Sequence, residues 1–323
     1  MVNKKQKILV TGASGYLGSH LSKALAKSGY NITALCKSMP NSESWKSLME
    51  NIVVGDIRDS NLFSRPSMKH FDIILHLVSL DHHRSNGSSD LVMSINVEPI
   101  WKILEKYTKS GLKKFINFST VHVYGQLPFK IIKENFPIAP KNIYSMTHSI
   151  SENICSYYNN NSPTDCLNLR ISNCYGSPVL RKSKCWSLVV NDLCRKAFKN
   201  NIISLKTDGS PQRDFIHIND VISAVKILIE KQTRSKMNSY NLAMSRTKTV
   251  YEISYKIKAC YEKRYGKNID IVSLSGEKLN YSNPKNRYTI SNEKLKKLGF
   301  RPEVAINYGI NQVFEYLEKV TDV

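Results

Sequence analysis

Short apolar runs alternate with longer amphipathic segments through the first half of the chain. Six runs have the length and composition of strands, at Lys7–Val10, Asn31–Cys36, Ile52–Val54, Ile73–Leu77, Phe115–Phe118 and Cys166–Ile171. Between them, apolar residues recur at helical spacing in Tyr16–Ser28, Ile95–Lys109 and Ser145–Tyr158. Strands that are apolar along nearly their whole length and are separated by helices are typical of a parallel sheet covered on both faces. The pattern therefore predicts a doubly wound α/β fold.

The pattern changes after the sixth strand. Turn-forming sequences such as Asp208-Gly209-Ser210-Pro211 separate two segments of helical spacing, Cys185–Lys199 and Asn219–Lys231. Dense turns between short elements favour a smaller lobe over a simple continuation of the sheet. We therefore predict a dinucleotide-binding domain at residues 1–170 and a smaller α/β substrate-binding lobe at residues 171–323, with interleaving of the two as an open alternative.

The composition is that of an ordinary globular protein. Of 323 residues, 41% are hydrophobic and 23% are charged, and no apolar run approaches the roughly 18 residues that would span a bilayer. The basic N-terminus runs directly into Ile8-Leu9-Val10, without the longer apolar stretch of a signal peptide. We therefore expect a cytoplasmic protein. The seven cysteines are scattered and include no Cys-x-x-Cys pair, so the sequence predicts neither a metal site nor a disulfide framework.

The net charge of +21 creates a field that attracts polyanions. The lysines are nevertheless spread along the whole chain and form no basic block interleaved with aromatic residues, as a nucleic-acid module would. We interpret the charge as a solvated surface that also favours phosphorylated ligands, and we expect no nucleic-acid partner. An RNA- or membrane-surface-associated protein is the alternative, and it rests on charge alone.

A glycine-rich turn follows the first strand. The sequence Thr11-Gly12-Ala13-Ser14-Gly15-Tyr16-Leu17-Gly18 lies between that strand and the first predicted helix. Glycines in such a turn allow the backbone to approach a pyrophosphate, and the helix N-terminus supplies free N–H groups with a partial positive charge. A merely flexible turn would require neither the preceding strand nor the following helix. This context predicts the phosphate-binding loop of a Rossmann domain.

The Gly-x-x-Gly-x-x-Gly spacing resembles the extended short-chain dehydrogenase/reductase family, which includes NAD-dependent nucleotide-sugar epimerases, dehydratases and reductases. The resemblance continues in the turn Gly55–Asp59, in which Asp56 would contact the adenine, and in the strand end at His76–Ser79. A homodimer is the assembly that we expect. The cofactor-binding residues that the resemblance implies are Gly12, Ser14, Gly15, Tyr16, Leu17, Gly18, Lys37, Asp56, Ile57, Leu77, Val78, Tyr144 and His148.

The end of the second strand bears on the choice of cofactor. Leu35-Cys36-Lys37-Ser38 lacks the acidic residue that usually binds the ribose 2′-hydroxyl of NAD. Lys37 could instead contact the 2′-phosphate of NADP, although a solvated lysine is the alternative in so lysine-rich a chain. The sequence therefore favours NADP slightly over NAD.

The segment Phe118–Gly125 resembles the family segment whose Ser or Thr lies four residues before a Tyr-Gly pair, which implies that Thr120 binds the reacting hydroxyl. Tyr144 matches the family's catalytic tyrosine. Such a tyrosine exchanges a proton with a sugar hydroxyl during hydride transfer, which requires its pKa to fall from about 10 toward neutrality. The family supplies a lysine four residues later, but here that residue is His148, on the same helical face as Tyr144.

His148 leaves two interpretations open. Either it forms a modified acid–base pair with Tyr144, which would give the enzyme a different pH optimum, or activity on this scaffold is weakened or lost. The second interpretation describes a non-catalytic NAD(P)-binding regulator or assembly protein. The family's dehydratases also place an Asp-Glu pair directly after the catalytic Thr, whereas this chain has Val121 and His122. The resemblance therefore argues against a typical 4,6-dehydratase.

Three residues of the second half match substrate-binding positions of the family. Asn173, Arg213 and Arg287 would contact the sugar, the diphosphate or the ribose of a nucleotide sugar, a task suited to the planar donors of arginine. The loop His82-His83-Arg84 is either a further substrate contact or a polar surface loop. We expect an epimerase, 4-ketoreductase or sugar dehydrogenase that acts on a ring carbon, C4 being the first candidate, of a nucleotide-linked hexose or heptose in polysaccharide biosynthesis.

Overall fold

The computed structural model describes residues 6–82, 84–277, 279 and 281–320. Its strands are β1 (Lys7–Thr11), β2 (Asn31–Cys36), β3 (Asn51–Val54), β4 (Ile73–His76), β5 (Lys114–Thr120), β6 (Ile131–Ile132), β7 (Asp165–Ile171), β8 (Asn173–Tyr175), β9 (Ile202–Leu205), β10 (Gln212–His217), β11 (Ser239–Leu242), β12 (Thr247–Thr249), β13 (Asp270–Ser273) and β14 (Thr289–Ile290). Its α-helices are α1 (Tyr16–Lys27), α2 (Glu43–Lys46), α3 (Ser89–Asn96), α4 (Glu98–Lys109), α5 (Ile143–Asn161), α6 (Val189–Asn200), α7 (Ile218–Glu230), α8 (Val250–Tyr265), α9 (Glu293–Lys297) and α10 (Ile306–Lys319).

Seven strands form one parallel sheet in the order β11-β7-β5-β4-β1-β2-β3. Successive residues of a strand face opposite sides of a sheet, and each side carries its own apolar core. On one side Ile8 and Val10 pack with residues of α1 and α7, and on the other Leu9 packs with residues of α4 and α5. This arrangement confirms the predicted doubly wound α/β fold.

Two predicted helices differ most from those of the structure. The segment Ile95–Lys109 belongs to two helices, because α3 ends at Asn96 and α4 begins at Glu98. Pro99 lies in the first turn of α4, where its missing N–H costs nothing, but it cannot continue a preceding helix. The helix predicted from Cys185 begins only at Val189.

The second half builds a smaller cluster and also returns to the main sheet. Helices α6, α8 and α10 enclose a third apolar core, beside small sheets in the orders β12-β10-β8 and β13-β9. In contrast, β11 pairs with β7 in the main sheet, and α7 packs against the first core. The elements of the two halves are therefore interleaved, and a domain boundary at residue 170 stays a prediction. Across the ranges described above, no helix has both the length and the apolar content to cross a membrane.

Candidate active site

The carboxyl ends of the parallel strands bring the predicted site residues to one edge of the sheet. Thr11 at the end of β1 lies opposite His76 of β4, and Thr120 at the end of β5 lies opposite Ile171 of β7. Ligands of doubly wound folds bind at this edge, in the crevice outside the strand ends.

The glycine-rich loop is shaped by its backbone. Gly12 has a φ of +69°, and the Gly15 N–H donates to the Gly12 carbonyl over 2.9 Å. A Cβ atom on Gly18 would lie 2.2 Å from that same carbonyl oxygen. Helix α1 begins at Tyr16 with Gly15 as its N-cap and no acidic residue in its first turn. The first-turn N–H groups and the close-packed glycines fit the diphosphate of a dinucleotide.

Two neighbouring segments hold this loop in place. Gly12 approaches the chain after β4, since a Cβ atom at this position would lie 3.3 Å from the Val78 side chain and 3.4 Å from the Leu77 carbonyl carbon. The Tyr16 hydroxyl donates to the Gly176 carbonyl over 3.0 Å. Tyr16 therefore connects the predicted cofactor loop to Gly176, directly after β8. The strand β8 begins at Asn173, a predicted substrate contact.

A charged cluster lies at the ends of β2 and β3. The Asp56 carboxylate accepts two hydrogen bonds from the Arg58 guanidinium, at 2.9 and 2.8 Å, and Lys37 Nζ lies 3.7 Å away. These hydrogen bonds to Arg58 hold the pKa of Asp56 well below its usual range. Lys37 and Asp56 were predicted from the sequence, each for a separate reason, and Arg58 was not predicted. Ile57, the other residue predicted here, is buried.

The structure brings Thr120, Tyr144 and His148 together. Tyr144 and His148 lie one turn apart on α5, with their ring centroids separated by 4.6 Å. The Thr120 side chain lies close enough to the Tyr144 phenol to lower its pKa. Helix α5 begins with a capping box between Asn142 and Ser145, which satisfies the first backbone donors of the helix and fixes the turn that carries Tyr144.

Neither member of the Tyr144–His148 pair is charged at neutral pH. Burial raises the pKa of Tyr144 to about 12, against a lowering effect of the hydrogen bond with Thr120. Burial lowers the pKa of His148 to about 4, and the charge of a protonated His122 would lower it further. The His148 ring lies 3.3 Å from the hydroxyl of Ser79. His148 is therefore a neutral ring that lies beside Tyr144 and hydrogen-bonds to Ser79, unlike the lysine at this position in the family, which is positively charged.

A buried ion pair lies next to these residues and is hydrogen-bonded to Ser119, the residue before Thr120. The Arg170 guanidinium and the Glu152 carboxylate are each only 4% exposed and lie 2.6 Å apart. The Ser119 hydroxyl donates to Glu152 over 2.6 Å, and Arg170 donates to the Tyr124 hydroxyl over 2.8 Å. The Tyr124 hydroxyl in turn donates to Asn241 over 2.6 Å. This network joins α5 to β5, β7 and β11. Sequence inspection did not identify it, because its partners are far apart along the chain.

Two histidines that the sequence analysis gave no catalytic role also face Tyr144. The rings of His82 and His122 each lie 6.5 Å from the Tyr144 ring. His122 is exposed, yet the surrounding groups still lower its pKa to about 4, chiefly through desolvation and then through the charge of Arg213. In the sequence, only its position two residues after Thr120 indicated that His122 could lie near the site. Of the predicted loop His82–Arg84, His83 lies outside the described residues.

The predicted substrate residues occupy three different environments. The Asn173 side chain donates to the Asp214 carbonyl over 3.1 Å. Arg213 donates to the Gln212 carbonyl over 2.7 Å and lies close enough to His122 to lower its pKa. Arg287 forms a 2.7 Å ion pair with Glu252. Arg213 is thus the one of the three with an electrostatic effect on the Tyr144 pocket. Within the described residues, no group of three or more His, Cys, Asp or Glu side chains could hold a metal ion.

A family model matches residues 8–243, which is most of the chain and includes the glycine loop, Thr120, Tyr144 and Arg213. The chain belongs to the NAD dependent epimerase/dehydratase family. This result confirms the resemblance drawn from the sequence. It also establishes a family of NAD-dependent enzymes in which epimerases and dehydratases both occur.

The relatives of this chain include both epimerases and dehydratases. UDP-glucose 4-epimerase 4 of Oryza sativa is 28% identical, over 82% of this chain and 78% of that protein. The dTDP-glucose 4,6-dehydratase of Streptomyces niveus is 25% identical, over 96% of this chain and 92% of its own. The crystal structure of UDP-glucuronic acid 4-epimerase from Bacillus cereus, in complex with UDP-glucuronic acid and NAD, superposes with a TM-score of 0.79 at 23% identity. That match covers 97% of this chain and 99% of the Bacillus chain, and it supports the assignment of the fold.

Proposed function

We propose that the protein binds NAD or NADP and uses it to oxidise and reduce a ring carbon of a nucleotide-linked sugar. The observation that carries the proposal is that Thr120 lies beside the Tyr144 phenol at the same sheet edge as the glycine loop. A hydroxyl donor and a phenol beside a dinucleotide site can orient and deprotonate a sugar hydroxyl. When bound, the cofactor supplies the hydride acceptor and donor.

The chain's own residues would handle the proton. Thr120 would orient the sugar hydroxyl and hydrogen-bond to the Tyr144 oxygen, which lowers the pKa of the phenol. Tyr144 would first have to lose its phenolic proton; the phenolate would then accept the hydroxyl proton during oxidation, and the phenol would return it during reduction. His148, which is neutral at pH 7, would act as a hydrogen-bonding partner and not as a permanent cation. Proton transfer should therefore depend on pH differently from that in a site built around lysine.

The substrate class follows from the family and from Arg213. A nucleotide diphosphate suits an arginine on the substrate side, and the similar proteins named above act on UDP- or dTDP-linked sugars according to their names. Val121 and His122 stand where the dehydratases carry an acidic pair. We therefore favour an epimerase, a 4-ketoreductase or a sugar dehydrogenase over a 4,6-dehydratase.

We infer that the nucleotide end of the cofactor meets two cations, Lys37 and Arg58. A 2′-phosphate would find donors in both side chains, which favours NADP. Asp56 competes for the same two side chains, and the Bacillus epimerase structure contains NAD. The preference for NADP is accordingly small, and direct comparison of the two affinities is its test.

A non-catalytic NAD(P)-binding protein is the second candidate. One observation favours it, since the neutral His148 leaves Tyr144 with a pKa raised to about 12. The two candidates differ in what the protein should carry when purified. Mass spectrometry of ligands released by denaturation should detect both NAD(P) and a nucleotide sugar if the protein is an enzyme. NAD(P) alone, together with no binding of UDP-glucose or UDP-glucuronic acid by calorimetry, would favour the non-catalytic candidate.

We infer that two copies of the chain associate through α4 and α5. Met146 and Tyr157 are 43% and 60% exposed on one stripe of α5, and Trp101 is 54% exposed on the neighbouring α4. Large apolar side chains on adjacent helices are typical of an isologous helical interface. Light scattering should give the mass of a dimer for the native chain and that of a monomer for Trp101→Glu. A native monomer would contradict this inference.

A further inference from the structure

The surface segment between β5 and α5, residues 126–141, combines exposed apolar side chains with lysines. Phe129 and Ile131 are each 63% exposed, which places them among the most exposed large apolar side chains of the protein. They are two residues apart, about 7 Å along an extended chain. Neither the proposed chemistry nor the inferred dimer interface uses them. Single exposed apolar residues are ordinary, but a close pair of this exposure indicates a surface that another molecule covers.

The fold holds this segment in one position. Successive residues of a strand face opposite sides, and Ile132 of β6 is buried in an apolar core with Ile290 of β14. Ile131 therefore faces solvent. The two strands are parallel, and the Thr289 N–H donates to the Lys130 carbonyl over 3.0 Å. The exposed side chains are thus presented on a backbone that is anchored to the rest of the protein.

The charge that the segment presents to solvent is positive. Lys130, Lys133 and Lys141 are exposed, and none of them forms an ion pair with another residue that the structure describes. Glu134 is the one acidic residue in this stretch of sequence. Its carboxylate accepts a hydrogen bond from the Asn241 N–H of β11 over 3.0 Å. The apolar pair is therefore flanked by cations whose charge this carboxylate does not offset by pairing.

We propose that the protein docks reversibly on the surface of an anionic lipid bilayer through four side chains, the docking patch: Phe129, Lys130, Ile131 and Lys133. The two apolar side chains would enter the boundary between headgroups and acyl chains, and the two lysines would remain at the anionic headgroups. The net charge of +21 would attract the whole protein to such a surface from a longer distance. The contact is independent of the proposed redox chemistry.

Two other partners fit the docking patch less well. Proteins bind single-stranded nucleic acids through stacked aromatic side chains and arginines, whereas residues 126–141 contain no arginine and Phe129 is their one exposed aromatic residue. A second copy of the chain would present the same lysines across a two-fold interface, and like charges that face each other weaken an interface. An anionic bilayer is complementary to both the apolar and the cationic side chains.

The test is co-sedimentation of the full chain with lipid vesicles. The native protein should bind vesicles of equal amounts of phosphatidylglycerol and phosphatidylcholine but not phosphatidylcholine alone, and binding should weaken as the ionic strength rises. Phe129→Ser/Ile131→Ser keeps the charge and should lower the bound-to-free ratio at least roughly tenfold. Lys130→Gln/Lys133→Gln keeps the apolar pair and should lower that ratio by about an order of magnitude. Tyr255→Ser is the matched control, because it removes a side chain that is 60% exposed on α8, and it should bind like the native protein.

Entry of the docking patch into the bilayer has a separate readout. Phe129→Trp places a fluorescent side chain in the patch, and Tyr255→Trp places one on α8 as the control. Brominated lipids in the same vesicles quench an indole that reaches the acyl-chain boundary. Quenching should therefore be stronger for Phe129→Trp than for the native protein or for Tyr255→Trp. Equal quenching in all three proteins would contradict entry of this side chain into the bilayer.

Three results would overturn the proposal. They are equal binding to both kinds of vesicle, full binding by Phe129→Ser/Ile131→Ser, and an equal loss of binding in Tyr255→Ser. Single-stranded RNA and light scattering provide the comparison with other partners. RNA binding or dimer formation that is lost in the docking-patch variants, without vesicle binding by the native protein, would assign the patch to that partner instead. Thermal unfolding and cofactor affinity identify a misfolded variant, and vesicle binding is measured without substrate, so its outcome is separate from that of the proposed function.

Discussion

The glycine loop and the Tyr144 pocket lie at the same sheet edge but are built by different means. The loop owes its shape to main-chain packing, with no room for a Cβ atom between Gly18 and the Gly12 carbonyl. The pocket owes its properties to side chains, and burial moves the pKa values of both Tyr144 and His148 away from their ordinary values. A change in the loop should therefore act through steric exclusion at any pH. A change in the pocket should act through proton affinity and depend on pH.

The largest effect is expected from Gly18→Val. Its added side chain would collide with the Gly12 carbonyl and with Ala13, so the loop would have to move away from the position that fits a diphosphate. We expect cofactor binding to be abolished at every pH, as measured by calorimetry. Gly87→Ala is the control, because its Cβ would meet its nearest neighbour at an ordinary 3.6 Å. Native affinity in a folded Gly18→Val protein would contradict the interpretation of the loop.

Substitution of His148 should change the pH dependence more than the fold. His148→Lys places a cation beside Tyr144, lowers the pKa of the phenol, and should move the limb of the pH–rate profile that reports ionisation of Tyr144 down by about one unit or more. Activity should be kept or should rise. His148→Ala removes the ring beside Tyr144 and its hydrogen bond to Ser79 and should lower activity. Identical profiles for the native protein and both variants would show that His148 has no part in proton transfer.

Buried histidines should make the fold sensitive to mild acid. Burial lowers the pKa of His20, His148 and His217 to about 4 and that of His76 to about 3, against about 6.5 in an unfolded chain. Below pH 6.5 the unfolded chain binds protons that the folded chain does not, so stability falls as the pH falls toward 4. Scanning calorimetry should show a lower Tm at pH 5 than at pH 7, and little change from pH 7 to 8. An equal Tm at pH 5 and 7 would contradict these burial effects.

The smallest effect is expected at the adenosine end of the cofactor. Lys37 is largely exposed and shares Asp56 with Arg58, and exposed charge pairs contribute on the order of 1 kcal/mol or less. Lys37→Ala and Arg58→Ala should each weaken NADP binding a few-fold and NAD binding less. Equal losses for the two cofactors, measured by calorimetry at one ionic strength, would remove the reason to prefer NADP.

The two regions also differ in how far the sequence could predict them. Glycine spacing, a preceding strand and a following helix encode the loop locally, and the structure has β1 before the loop and α1 after it. The neutrality of His148 could not be predicted, because it depends on burial by segments far away in the chain. The position of His122 beside Tyr144 and near Arg213 was missed for a similar reason, because both residues are far away in the chain. Arg58 was missed although Asp56 lies only two residues before it, because the sequence does not show that the two side chains pair. One strand of the main sheet, β11 (Ser239–Leu242), was missed, because the turn-rich pattern of the second half predicted a separate lobe there.

The central claim is that Tyr144 carries the proton for hydride transfer at a sugar ring carbon. UDP-glucose deuterated at C4 tests it directly, by mass spectrometry of the nicotinamide cofactor after incubation with the protein. The native protein should transfer deuterium to the cofactor, and UDP-glucuronic acid deuterated at C4 serves as the second substrate. Tyr144→Phe should bind both ligands and lower the transfer rate by about two orders of magnitude or more. A Tyr144→Phe protein that transfers deuterium at the native rate, or a native protein that binds both ligands and transfers none, would contradict the account.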